Sequence, residues 1–166
     1  MKVCLYFHHR AGKVYFMNWI LKTFNALTPQ QLYSILQLRI EVFIVEQNCV
    51  FQDADNRDQE SFHLMGYKDE KLVAYTRLVP PGLAYEEPSI GRVVTAPAAR
   101  RSGYGKMLME KSVETAYTLF GKQTIRIGAQ LYLKKFYSSI GFEQVSDVYM
   151  EDGIEHIYMI KKISIT

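Results

Sequence analysis

The chain has 166 residues, 48% of them hydrophobic and 22% charged, with a formal net charge of +3 and a pI near 8.8. That length supports one core and is short for two domains, and the mild, scattered basicity suits a phosphorylated small molecule better than a nucleic-acid duplex. No apolar run reaches the roughly eighteen residues of a membrane span, His8, His9 and Arg10 break the apolar stretch a secretory signal needs, and Cys4 and Cys49 form neither a C-x-x-C nor a ligand cluster with the four histidines; a cytoplasmic protein without metal, membrane or nucleic-acid partners is expected.

Residues 1–16 read either as an N-terminal extension or as an edge strand, and 17–166 as a single domain. Asn18 to Phe24 has the composition of a first strand. Thr28-Pro29-Gln30-Gln31 is a capping box with proline at the first helical position, and Leu32, Ile35, Leu36, Ile40 and Phe43 follow at helical spacing, so a helix is expected to run to about Val45. Phe51 to Glu60 carries Asp53, Asp55, Asp58 and Glu60 and reads as an exposed loop.

Ser61 to Tyr67 and Leu72 to Val79 flank the polar turn Lys68-Asp69-Glu70-Lys71 and predict a β-hairpin. Ser89 to Thr95 is a further strand, and an amphipathic helix starts near Gly103, runs through Lys106 to Phe120 and stops at Gly121. Thr124 to Gly128 reads as a strand and Leu131 to Ile140 as a helix closed by Gly141. Phe142 to Tyr149 and Glu155 to Ile163 read as a hairpin around Asp152-Gly153. This order predicts an α/β fold with a mixed antiparallel and parallel sheet, in which the βαβ step from Ser89 to Gly128 crosses over right-handed.

Between that strand and that helix lies Arg100-Arg101-Ser102-Gly103-Tyr104-Gly105, an R-x-x-G-x-G loop. Unpaired amides converge at a helix N-terminus, glycines admit a phosphate to the backbone, and arginines fork onto its oxygens. A Walker A loop is excluded, because Gly105-Lys106 is followed by Met107 and the residue five before Gly105 is Arg100. A dinucleotide fingerprint is excluded as well, because Leu108 occupies the place of its third glycine. The simpler alternative is a basic turn that only caps a helix.

Thr95-x-Pro97-x-x-Arg100-x-x-Gly103-x-Gly105 resembles the acetyl-coenzyme A loop of the GNAT superfamily of N-acetyltransferases, with Thr95 where the superfamily usually has an aliphatic residue. The hairpin at 66–74 and Phe136-Tyr137-x-x-x-Gly141-Phe142 are similar to further GNAT segments. Leu38-Arg39-x-x-Val42-Phe43-x-x-Glu46-Gln47, together with Asp152-Gly153-Ile154-x-His156-Ile157, resembles the ElaA-like group within it. The resemblance implies a central sheet splayed between its middle strands, with helices on both faces. It implies acetyl-coenzyme A as acyl donor, its diphosphate on the amides of Arg101, Ser102, Gly103, Tyr104, Gly105 and Lys106 beside Arg100, and its pantetheine arm along Val93, Val94 and Thr95.

Acetyl transfer needs a neutral amine, an amide near Val94 for the oxyanion and a proton for the leaving thiolate. The resemblance makes Tyr137 the acid, against the alternative of a core tyrosine. Glu46 is the first choice of base and His156 the second, although Glu46 could instead pair with Arg39. Arg77 and Arg92, in apolar strands, need partners: a substrate carboxylate, or the favoured ion pair with Glu46, Asp53 or Asp55. The expected activity is transfer to a primary amine of a small molecule or peptide by a monomer or homodimer. The alternatives are a non-catalytic coenzyme A-binding module and an acyl-carrier-dependent acyltransferase of the same fold.

Overall fold

The computed structural model describes residues 17–163 in full and, before them, the backbone of Cys4–Tyr6 (β1), His9–Arg10 (β2) and Lys13–Val14 (β3). β1 pairs antiparallel with Met17–Thr23 (β4), and β2 with β3; the expectation for 1–16 otherwise lies outside the described residues. The strands that follow are Phe62–Lys68 (β5), Lys71–Val79 (β6), Ser89–Thr95 (β7), Ile125–Gln130 (β8), Glu143–Gln144 (β9), Tyr149–Glu151 (β10) and Ile154–Lys161 (β11). They form one sheet in the order β1-β4-β5-β6-β7-β8-β11-β10, with β9 also on β11.

Every pairing in the main sheet is antiparallel except β7 with β8, which is parallel and registers at Ser89 and Arg126, with the Arg126 amide donating to the Pro88 carbonyl at 3.0 Å. Past that point the two middle strands part. Successive side chains of a strand point to opposite faces, and each face carries its own helices. Leu64, Leu78, Ile90, Ile127 and Met159 pack with Leu108 and Met109 of Tyr104–Phe120 (α2) and with Tyr137 of Lys134–Ser138 (α3). Met65, Tyr75 and Val94 turn the other way, onto Ile35, Leu38 and Val42.

Thr28 caps Pro29–Arg39 (α1) with the reciprocal capping box expected. The buried stripe differs from the expected one: it runs through Ile35, Leu38, Arg39 and Val42, while Ile40 is 46% exposed. These four positions have the i, i+3, i+4, i+7 spacing of one helix face, and α1 then continues as a π-helix over Ile40–Glu46. Two other elements are shorter than their patterns implied. Leu131–Leu133 is a 3-10 turn before the five-residue α3, and the strand expected over 142–149 is split into β9 and β10.

The acidic segment Phe51 to Glu60 is not the exposed loop its polarity suggested, since Asp53 and Asp58 are buried. Arg39 is fully buried and donates from Nε to Asp53 Oδ2 at 2.7 Å and from Nη1 to Asp58 Oδ1 at 2.9 Å. Arg77 Nη1 donates to Asp55 Oδ1 at 2.6 Å and to Asp58 Oδ1 at 2.8 Å, and Arg92 Nε to Asp53 Oδ1 at 2.8 Å. Three arginines from α1, β6 and β7 thus balance three aspartates, and buried charges persist only when so paired. Arg39 therefore does not pair with Glu46. The arginines hold the Asp55 and Asp58 carboxyls below the ordinary carboxylate range against the opposing effect of burial.

Candidate functional site

The parting of β7 from β8 opens a cleft of about 580 Å³, lined by Val93 to Thr95 on one side and by Gln130, Leu133 and Tyr137 on the other. Arg100, Arg101, Gly103, Gly105 and Lys106 close its outer end, with Phe43 and Glu46 above. Most of the cofactor-binding residues read from the sequence therefore line one cleft; Ser102 and Tyr104 belong to the same loop but not to its lining.

Loop geometry suits an anion. Arg101 and Gly103 adopt left-handed φ of 63° and 85°, which turns the chain so that Gly103 serves as N-cap of the 17-residue α2. No side chain caps that end, and the first intrahelical acceptor bond is Met107 N to Gly103 O at 3.1 Å. The amides of Gly105 and Lys106 thus have no intrahelical partner, and the positive end of the helix dipole lies there. A Cβ on Gly103 would meet nothing within 4 Å; glycine is needed for the backbone angle rather than for room.

Glu46 sits on the wall of this cleft in a two-pronged ion pair with Arg100, and that hydrogen bonding holds its carboxyl below the ordinary range. A carboxylate so held is a weak proton acceptor.

A second cavity, of about 150 Å³, adjoins the cleft. Its wall includes Phe51, Arg92, Gly128, Asp152 and His156, and it shares Phe43, Val93, Gln130, Leu133 and Tyr137 with the cleft. His156 is on β11 opposite Gln130. Its Nδ1 lies 2.9 Å from the Ile154 carbonyl. A carbonyl only accepts, so Nδ1 carries the hydrogen and the neutral ring's basic nitrogen is Nε2.

Tyr137 is 5% exposed and packs edge-on to Phe136 and Phe142. Burial pushes its phenol well above the usual tyrosine value, so it stays protonated. The sequence did not reveal Gln47 and Gln130, whose side chains meet at 3.1 Å across the cleft; nothing in their spacing signals that contact, which depends on β8 approaching the end of the π-helix.

No group of three or more acidic, histidine or cysteine side chains suited to a metal occurs among the described residues, and no helix among them is long and apolar enough to cross a membrane.

The sequence profile of the "Acetyltransferase (GNAT) domain" matches residues 25–163. Protein ElaA of Escherichia coli is 42% identical over 141 residues, 84% of this chain and 92% of that protein. Its crystal structure superposes with a TM-score of 0.82 at 40% identity, covering 88% of this chain and 99% of ElaA. An acyl-CoA N-acyltransferase from Pseudomonas aeruginosa superposes with a TM-score of 0.83 at 41% identity, covering 87% of this chain and 99% of that one. With the splayed sheet, the glycine loop on α2 and these relatives together, the chain belongs to the GNAT acetyltransferase family.

Proposed function

We propose that the protein is an N-acetyltransferase that moves the acetyl group of acetyl-coenzyme A to a primary amine of a small molecule or peptide. The observation that carries this reading is the shared wall: Tyr137 and Val93 border both the cleft and the second cavity. A thioester arriving through the first and an amine through the second meet there.

The donor's diphosphate lies on the backbone at the start of α2, at the amides of Gly105 and Lys106, and its pantetheine amides replace the strand partner that β7 lacks past Ser89. Strand amides alternate in direction. Because Ala96 N donates to Val73 O of β6, the amides of Val93 and Thr95 point away from β6 into the gap. Val93, one residue before the position expected from the sequence, is thus the donor that stabilises the oxyanion.

His156 Nε2 takes the amine proton, directly or through a water, in preference to Glu46, whose carboxylate Arg100 occupies. Nitrogen attacks the carbonyl, the C–S bond breaks, and Tyr137 offers its hydroxyl proton to the departing sulfur. Asp152 adds a carboxylate to the acceptor cavity, which favours an ammonium group over an anion at its entrance.

The test is a thiol-release assay with acetyl-coenzyme A against a panel of primary amines, with Gly103→Glu as the control that places a side chain and a negative charge in the phosphate loop. Amine-dependent release by the wild type and none by the control supports the reading. Coenzyme A binding without release to any amine makes the protein a binding module instead.

A further inference from the structure

Strand β7 contains a break in register that the reaction uses. Tyr75 pairs with Val94 and Arg77 with Gly91, so Arg92 and Val93 together face Thr76 alone. That is a β-bulge, and Arg92 occupies it with φ of 50°. The left-handed first position of such a bulge is ordinarily glycine. Here glycine is the neighbour, Gly91, and an arginine takes the left-handed place.

The side chain of Arg92 explains how that arrangement persists. Its Nε donates to Asp53 Oδ1 at 2.8 Å, and its Nη2 donates to the Asp53 carbonyl at 3.1 Å and to Asp55 Oδ2 at 3.4 Å, while the guanidinium lies 5.8 Å over the Phe51 ring. Asp53 in turn is fixed from the opposite side by Arg39, through Oδ2 at 2.7 Å and the carbonyl at 3.0 Å. A rigid line therefore runs from α1 through a buried carboxylate to the one residue that reverses the backbone, next to Val93.

We propose that the Asp53–Arg92 contact is a positioning clamp: it holds the bulge that aims the Val93 amide into the cleft, so that Arg92, itself on the wall of the second cavity, acts on the thioester through the backbone. The proposal rests on the acetyl-transfer reading above.

The experiment compares Arg92→Ala, Arg92→Lys and Arg92→Gly, each checked for folding by circular dichroism. Two readouts are taken: kcat and KM for both substrates, and the infrared carbonyl band of bound acetyl-coenzyme A isotopically labelled at the thioester. Glycine adopts the left-handed angle unaided; alanine and lysine do not, and lysine lacks the fork.

Alanine and lysine should lower kcat about a hundredfold, the scale of losing one oxyanion donor, with both KM values within about threefold. Their carbonyl band should move back to that of the free thioester. Glycine should stay within about tenfold of wild type and keep the shifted band. Should alanine fail to fold, the contrast of glycine with lysine decides.

A glycine variant as defective as lysine, or a lysine variant with wild-type kcat and a raised KM for the amine, overturns the clamp. If the wild type acetylates no amine, the transfer reading falls while the infrared comparison still decides the clamp. If acetyl-coenzyme A does not bind at all, both fall.

Discussion

Arg100 grips Glu46 with both prongs of its guanidinium, Nη1 to Oε1 at 2.5 Å and Nη2 to Oε2 at 2.7 Å, on the wall of the cleft between β7 and β8. The pair joins the glycine loop before α2 to the end of the π-helix. Both partners are more than a third exposed, so the contact is worth little to stability, and its effect falls on binding.

Glu46→Gln should release Arg100 toward the diphosphate and tighten coenzyme A about two- to fivefold at low salt, a gain that shrinks as salt screens the charges. Arg100→Ala should weaken binding. Titration calorimetry at two ionic strengths checks both. The kcat of Glu46→Gln should stay near that of wild type; a hundredfold fall would make Glu46 the base after all.

Tyr137→Phe should lower kcat by about a hundredfold or more without lowering the melting temperature, because the hydroxyl makes no hydrogen bond among the described residues. A loss of stability equal to the loss of rate would make Tyr137 a packing residue only. His156→Ala should lower kcat similarly, and added imidazole should restore part of the rate; steady-state kinetics checks both variants.

Gly103→Ala puts a Cβ at a φ of 85° where there is open space, so strain is the only cost. The variant should lose about 1–2 kcal/mol of stability and bind coenzyme A less well, whereas Gly103→Glu should abolish binding. Chemical denaturation and calorimetry separate the two effects.

Acid should unfold the protein in two stages. His63 is buried, with Nε2 donating to the Asp58 carbonyl at 3.0 Å and Nδ1 accepting from the Tyr75 hydroxyl at 2.9 Å. Burial lowers its pKa from 6.5. The unfolded chain therefore takes up the proton first, and the stability present above pH 6.5 declines as pH falls below it. Asp55 and Asp58, lowered from 3.8, add a second decline below that value. Denaturation curves from pH 8 to 3 should show both stages, and His63→Gln should remove only the first. Asp58→Ala, which removes the buried carboxylate shared by Arg39 and Arg77 and leaves them only Asp53 and Asp55, should cost about 3–5 kcal/mol.

Short-range chemistry was enough for much of this molecule. The capping box at Thr28 and the strand Ser89 to Thr95 depend on interactions between near neighbours, and so does the helix opened by Gly103, so each is legible in the sequence. That residues 100–106 form one turn at the start of α2 is legible for the same reason, since a helix N-terminus is built from consecutive residues. The resemblance carried by separate motifs in order supplied the splayed sheet.

What only the tertiary structure decided is how charges pair. Asp53, Asp55 and Asp58 read as an exposed loop, and Arg77 and Arg92 as partners of Glu46, Asp53 or Asp55; the structure buries Asp53 and Asp58, adds Asp58 and Arg39 to the cluster and leaves Glu46 out, with partners 14 to 39 residues apart. Glu46 read as a base or as the partner of Arg39, and it is Arg100, 54 positions on, that pairs with it. Coulomb energy depends on distance in space and on burial, neither of which local pattern encodes. The same holds for the left-handed Arg92: composition shows an arginine beside a glycine, and only the sheet register shows which of the two turns the backbone.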